Sequence, residues 1–132
     1  MRNFTEKNYR PCVGIVLIKN GSIFAGQRLD YNSNAWQMPQ GGIEENETPI
    51  RAAVRELKEE TGIKKKHIKI ILESKNWINY DLPKELVPKL WNGKFVGQSQ
   101  KWYAMEFLGT DSDIDINTKN PEFSKWQWMT KN

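Results

Sequence analysis

The stretch from Gly41 to Ile63, GGIEENETPIRAAVRELKEETGI, constrains this chain more than any other, because it describes a loop and a helix with both ends marked. Thr48 is a suitable N-cap, and Pro49 then takes the first helical position, where a missing N–H costs nothing. Gly62 stands where a left-handed residue stops a helix. Between these stops Ile50, Ala53, Val54 and Leu57 recur at helical spacing, so the helix carries an apolar face that must dock on a core. Glu56, Glu59 and Glu60 fall at i, i+3 and i+4 on the neighbouring face. Like charges at that spacing cost about 0.2–0.5 kcal/mol per pair, and Arg55 alone cannot neutralise three. Either the face is simply solvated, or the carboxylates hold cations. Hard divalent ions with a preference for oxygen, Mg²⁺ above all, suit such a cluster and bridge it to substrate phosphates.

Strands flank this helix. Pro11 to Lys19 is rich in Val and Ile, Asn20-Gly21 is a two-residue hairpin signal, and Ser22 to Arg28 is the returning strand. Asp30 to Asn34 is a polar loop, Trp36 to Met38 a short extended piece, and Gln40-Gly41-Gly42 a turn toward the helix. Beyond Gly62, Lys64-Lys65-Lys66-His67 is a basic connection, and His67, the single histidine, is expected to be solvated. His67 to Lys75 is a strand that runs on into a loop over Asn76 to Pro83. Lys84 to Phe95 has no clean period and is expected to be loop with a short helical turn. Val96 to Leu108 is a long strand, Asp111 to Ile116 a surface loop entering a short strand, and Trp126 to Met129 the last strand. Trp36, Trp102, Trp126 and Trp128 are placed in strands as core residues. Strands, one helix, then more strands define an α+β domain around a mixed sheet.

A length of 132 residues suits one domain, residues 1–132, large enough to bury a real core. No 18-residue apolar run is present, so no membrane span is expected, and Met1 to Glu6 lacks the apolar segment of a secretory signal. Cys12 is the sole cysteine; it excludes an internal disulfide, suits the cytoplasm, and is expected to be a small buried strand residue. The net charge of +4 hides an asymmetry, since an acidic pocket leaves the remaining surface more basic than the total. Polyanionic partners, phosphates or nucleic acid, follow from that, against a general lysine bias as the alternative.

Glycine at 41, Glu47, Arg55-Glu56-Leu57, Glu59-Glu60 and Gly62-Ile63 are spaced as in the Nudix box, and residues 41–63 resemble it position for position. The resemblance implies a Nudix hydrolase, an enzyme that cleaves a nucleoside diphosphate linked to another moiety with a divalent metal. It also implies the Nudix fold, a mixed β-sheet sandwiched with helices. Such chains normally continue past the last strand into a C-terminal helix; here the sequence stops at Lys131-Asn132, so that helix is expected to be missing.

Outside the box, Tyr9-Arg10-Pro11, Trp36-Gln37-Met38-Pro39-Gln40-Gly41-Gly42, Asn76-Trp77, Tyr80-Asp81-Leu82-Pro83 and Gly97-Gln98-Ser99-Gln100-Lys101-Trp102 resemble the bacterial RNA pyrophosphohydrolase branch and the closely similar dinucleoside polyphosphate hydrolases. The resemblance implies that Glu56, Glu59 and Glu60 bind metal and carry catalysis, joined by Glu122 as a remote metal ligand. It implies a structural ion pair between Glu47 and Arg55, phosphate contacts from Arg10, Arg28 and Lys101, and a nucleotide site at Tyr80 and Gln98. Gly41 and Gly62 have structural roles in the motif. Mg²⁺ is the expected cofactor, with Mn²⁺ or Zn²⁺ as alternatives.

The implied reaction is removal of pyrophosphate from the 5′ end of triphosphorylated RNA, promoting RNA decay. The alternative is hydrolysis of a dinucleoside polyphosphate such as diadenosine tetraphosphate, toward which Ala35, preceding Trp36, leans. A silent nucleotide- or RNA-binding module is the competing class, but such modules commonly lose a box glutamate, and none is lost here. A single-strand RNA-binding domain would interleave aromatics with lysines on one face, whereas the lysines look scattered along the sequence. The oligomeric state is left open, with a monomer favoured.

Overall fold

The structure, a computed structural model, describes residues 8–29, 35–90 and 93–130. The polar loop expected over Asp30 to Asn34, the Trp91-Asn92 part of the stretch from Lys84 to Phe95, and the terminal Lys131-Asn132 lie outside the described residues. Seven strands form one mixed sheet: β1 (Tyr9–Lys19), β2 (Ser22–Arg28), β3 (Gln40–Gly42), β4 (Ile68–Glu73), β5 (Ile78–Asp81), β6 (Gly97–Phe107) and β7 (Phe123–Thr130). The main path is β4-β6-β1-β2-β7, with β3 added to β1 and β5 added to β6. The β1–β6 pair is parallel and runs from Tyr9↔Gly97 to Ile18↔Glu106; the other pairings are antiparallel.

The hairpin between β1 and β2 turns through Asn20 and Gly21, at φ 51° and 79°, a pair of left-handed residues that matches the twist of the strands. The single α-helix among the described residues, α1 (Pro49–Thr61), lies in the connection between the two parallel strands. Its first turn is closed by Thr48, whose Oγ1 accepts from the Arg51 N–H at 3.3 Å, with Pro49 at the start. Its last turn ends at Gly62, φ 75°, whose N–H donates to the Lys58 carbonyl. A Cβ at Gly62 would lie 2.9 Å from the Asp115 backbone oxygen, so both the backbone angle and the neighbouring chain demand glycine here.

Helix and sheet meet in one core. Val13, Ile15 and Leu17 of β1, Tyr103, Met105 and Phe107 of β6, and Phe24 and Phe123 pack against Ala52, Ala53 and Leu57 of α1. Burying Leu57 completely contributes about 1.5–3 kcal/mol, enough to hold a helix whose glutamates repel one another. The buried stripe is shifted from the expected one: Ala52, Ala53, Leu57, Glu60 and Thr61 are buried, while Ile50 and Val54 are half-buried.

Several expectations are corrected. Gln40–Gly42 is a short strand on β1, because the Gly41 and Gly42 backbones complete the ladder to Cys12 and Val13. Residues 78–81 are not loop but β5, paired from Ile78↔Gln100 to Asp81↔Gly97. The segment from Asp111 to Ile116 enters no strand; it is a 3₁₀ turn at Asp111–Asp113, closed by a Thr110–Asp113 capping box, followed by irregular chain. Trp36 lies outside the strands, and Trp102, Trp126 and Trp128 are half-buried rather than fully core. Trp126 and Trp128 flank Phe24, with ring centroids 5.5 and 6.0 Å away. His67 is half-buried, its Nε2 4.0 Å from Asp113. Cys12 is buried in β1. Of the helices expected on both sides of the sheet, the described residues contain one, and none is long and apolar enough to cross a membrane.

Candidate active site

The site is built where β1, β3, β6 and α1 meet. Residues paired across neighbouring strands share a face, so Tyr80↔Gln98 and Gln98↔Arg10 align Tyr80, Gln98 and Arg10 in one row across β5, β6 and β1. The next row brings Ile78, Gln100, Cys12 and Gly42 together. A side chain at Gly42 would displace the Arg10 guanidinium, and one at Gly41 would displace the Glu56 carboxylate. The two glycines let an arginine and a carboxylate press against bare backbone.

A cavity of about 720 Å³ opens at this junction and is lined by Arg10, Arg28, Gln40, Gly41, Arg55, Glu56, Glu60, Gln98, Gln100 and Glu122. It gathers residues that lie up to 112 positions apart in the chain (Arg10 to Glu122). Glu59 lines a neighbouring cavity that shares Arg55, Glu56, Glu60 and Glu122 with the first. Tyr80 stands beside Gln98 and is 48% exposed. Lys101 does not join them. It pairs with Val13 on the opposite face of β6, where its Nζ contacts Glu73 at 3.4 Å and the Lys75 carbonyl at 3.3 Å. One residue of offset along a strand moves a side chain to the other face of a sheet, and that removes Lys101 from the cavity.

Arg55 is the hub of the loop–helix junction. Its Nε and Nη2 donate to Glu47 Oε2 and Oε1 at 2.7 and 2.9 Å, and Nη2 also donates to the Gly42 carbonyl at 2.8 Å. Its Nη1 reaches Glu59 at 3.0 Å and Glu56 at 3.3 Å. Glu47 in turn accepts from the Glu44 N–H at 2.9 Å. The Arg55 hydrogen bonds hold the Glu47 carboxyl below its ordinary value, and the Glu47 hydrogen bonds raise Arg55. A bidentate, charge-assisted fork of this kind fixes the loop on the helix.

The carboxylates behave differently. Burial pushes Glu60 up to about 9, reinforced by Glu56 and Glu122 and only partly offset by the Gln40 N–H and Arg28. Burial likewise pushes Glu56 up to about 7, against the pull of Arg55 and with the Glu59 charge adding to the rise. Among the described residues no three His, Cys, Asp or Glu side chains converge into a closed coordination set. Glu59 is instead paired with Arg55, and Glu122 with Arg28 at 3.0 Å. The donor chemistry nonetheless fits a hard divalent ion: oxygen ligands only, with the buried Glu60 and half-buried Glu56 carboxyls pushed up so that a facing cation would favour their ionised form.

Three glutamines were not singled out from the sequence. Gln100 Nε2 donates to Gln40 Oε1 at 2.6 Å and to Gln98 Oε1 at 3.1 Å, while Gln37 lines the same cavity. The signal available was the Gln98-x-Gln100 alternation, which puts both amides on one face of β6.

A seven-stranded mixed sheet with a carboxylate-bearing helix in its parallel crossover, and glutamates beside arginines, is the arrangement of a phosphoanhydride hydrolase of the Nudix kind. A family model described as NUDIX domain matches residues 8–132, and the chain belongs to that family, whose hydrolases generally use divalent metal cations. The chain is 55% identical over 122 residues to the RNA pyrophosphohydrolase of Roseobacter denitrificans, covering 92% of this chain and 76% of that one. It is 51% identical over 137 residues to the RNA pyrophosphohydrolase of Rickettsia canadensis, covering 100% and 84%. Among solved structures it resembles the E. coli dihydroneopterin triphosphate pyrophosphohydrolase, with a TM-score of 0.69, 21% identity and coverage of 93% and 83%. It also resembles the C. elegans Ap4A hydrolase in a binary complex, with a TM-score of 0.64, 21% identity and coverage of 90% and 79%.

Proposed function

We propose that the chain, read as a single domain over residues 1–132, is an RNA pyrophosphohydrolase. With Mg²⁺, or with Mn²⁺ or Zn²⁺ in its place, it hydrolyses the 5′ triphosphate of RNA in the cytoplasm. Water enters, pyrophosphate leaves, and a 5′-monophosphorylated RNA open to decay remains. The observation that carries this reading is the 55% identity, over 92% of the chain, to a relative of that name.

Glu56, Glu59, Glu60 and Glu122 are the residues that would hold the cation. When bound, it neutralises phosphate charge and lowers the pKa of a coordinated water. Arg28, beside Glu122, would face phosphate oxygens, while Arg55 stays forked on Glu47 and the Gly42 carbonyl and keeps the loop on the helix. Arg10, in the lining of the same cavity, offers a second guanidinium fork to the phosphate chain. Glu56 or Glu59 would take the proton from the attacking water. Tyr80 offers a ring face to the base, and Gln98 an amide to its edge. No covalent intermediate is required.

Ala35, before Trp36, favours a second reading, hydrolysis of a dinucleoside polyphosphate, which presents the same nucleoside on a phosphate chain. Product analysis with Mg²⁺ on 5′-triphosphorylated RNA and diadenosine tetraphosphate side by side separates the two. Pyrophosphate and 5′-monophosphorylated RNA are the expected products. Efficient cleavage of the dinucleotide with RNA left intact at low salt would overturn the RNA reading.

A further inference from the structure

The carboxylates line two cavities, the first of which would take the reacting phosphates. The second, about 1300 Å³, shares Arg55, Glu56, Glu60 and Glu122 with the first and extends along α1 to Gly62, Ile70 and the segment from Thr118 to Asn120. Lys58, Lys64, Lys65, Lys66 and Lys119 line it, and each is exposed. The fold assembles them from three places. The left-handed turn at Gly62 folds Lys64 to Lys66 back beside the helix end. Thr118 Oγ1 donates to the Glu59 carbonyl at 2.5 Å, and the Asp115 N–H to the Thr61 carbonyl at 2.8 Å, which lays the Lys119 segment along the same end.

A bland account is available for part of this. Cations near a helix C-terminus gain about 0.3–1 kcal/mol from its dipole, but the effect fades beyond the last turn. It covers Lys58 and one neighbour, not five. Among the described residues none of the five makes an ion pair. None of the five ammonium groups is held in an ion pair, Lys66 only lying close enough to Asp113 to help hold its carboxyl down, so all five are available to a polyanion. Ile50, Val54 and Ile70 add an apolar lining to the same cavity, suited to a base rather than to a chain of phosphates alone.

We propose that this lysine-lined cavity is the track for the RNA body, taking the phosphodiester backbone and a downstream base as the strand leaves the carboxylates. This deepens the RNA reading above and rests on it. A single strand fits because it can enter a concavity that begins at the reacting phosphates. A flat anionic membrane could reach only the rim.

The test uses the full chain and the variant Lys64→Gln/Lys65→Gln/Lys66→Gln, whose positions are exposed, with Lys64→Arg/Lys65→Arg/Lys66→Arg as the charge-keeping control. The binding probe is a fluorescent 5′-hydroxyl RNA 20-mer, which lacks the reacting group, titrated across a salt series. Each lost phosphate contact lowers the log–log salt slope by about 0.7 for a single strand, so the Gln variant should lose about 2 in slope and bind at least roughly tenfold more weakly at low salt. The Arg variant should keep both. With 5′-triphosphorylated RNA, the ratio of its kcat/KM to that for diadenosine tetraphosphate should fall by a similar factor in the Gln variant. Unchanged affinity and slope in a Gln variant that melts like the parent overturn the proposal, as does binding of phosphatidylserine vesicles without binding of RNA. If the parent fails to hydrolyse triphosphorylated RNA while the variant still loses 20-mer binding, the activity reading fails and the RNA track stands.

Discussion

Glu60→Gln separates the role of a ligand from that of a buried charge. Glu60 is only 3% exposed, and its carboxyl is pushed up to about 9 from an unperturbed 4.5. The folded chain therefore keeps a proton that the unfolded chain releases, and unfolding expels it between pH 4.5 and 9. Stability without metal is full below pH 4.5 and falls as pH rises through that window, by at most about 1.4 kcal/mol per unit. At pH 7.5, some three units above the unfolded value, the accumulated loss is at most about 4 kcal/mol. Glutamine removes this titration and its oxygen still accepts from the Gln40 N–H. In EDTA at pH 7.5 the variant should be more stable than the parent by about 1–4 kcal/mol, or roughly 4–16 °C in Tm. Its Tm should also vary less with pH between 5 and 9. The gain should shrink when Mg²⁺ is added, because the parent binds it and recovers about 2.7 kcal/mol at a hundredfold excess over Kd. Turnover should fall by more than about 100-fold, since even outer partners of a metal site cost 10–100-fold. The assay is a melting series across pH with and without Mg²⁺, alongside pyrophosphate release. Parallel Tm–pH curves for parent and variant in EDTA, or near-normal turnover in a folded variant, refute the assignment.

Gly41→Ala places a methyl group against the Glu56 carboxylate, which must move; kcat should drop by about 100-fold with little change in Tm, the signature of a misplaced reacting group. Tyr80→Ala should raise KM for RNA by about 5- to 150-fold, the worth of one stacked base, while leaving metal affinity unchanged in a Mn²⁺ titration. Gly62→Ala meets both a left-handed backbone and the Asp115 carbonyl, so urea unfolding should show a loss of more than about 1 kcal/mol with the m-value unchanged.

Much of the fold was legible because local chemistry and tertiary structure agree. Thr48, Pro49 and Gly62 bound α1 where the chain says they should, and Asn20-Gly21 makes its hairpin, since capping and left-handed turns depend on the residue itself. Misreadings fell where a segment's state depends on a partner. Ile78–Asp81 is too short to declare itself and becomes a strand only because β6 offers it an edge. Gln40–Gly42 is a strand although two of its three residues are glycines, because β1 accepts its backbone. Lys101, which the resemblance implied as a phosphate contact, is turned by strand alternation to the face opposite Gln98 and Gln100.

By itself, then, the sequence determined which residues bring chemistry: the box glutamates on one helix, the arginine that locks their loop, and the glycines that let backbone approach them. Those depend on spacing within a few turns of chain. Only the tertiary structure decided the company they keep. It set Glu122 and Arg28 beside Glu60, and it burned off the solvent that would have kept Glu60 an ordinary acid. It linked the Gln40, Gln98 and Gln100 amides, and it drew lysines that look scattered along the chain around one cavity. Long-range proximity and desolvation are properties of packing, and no local run of residues carries them.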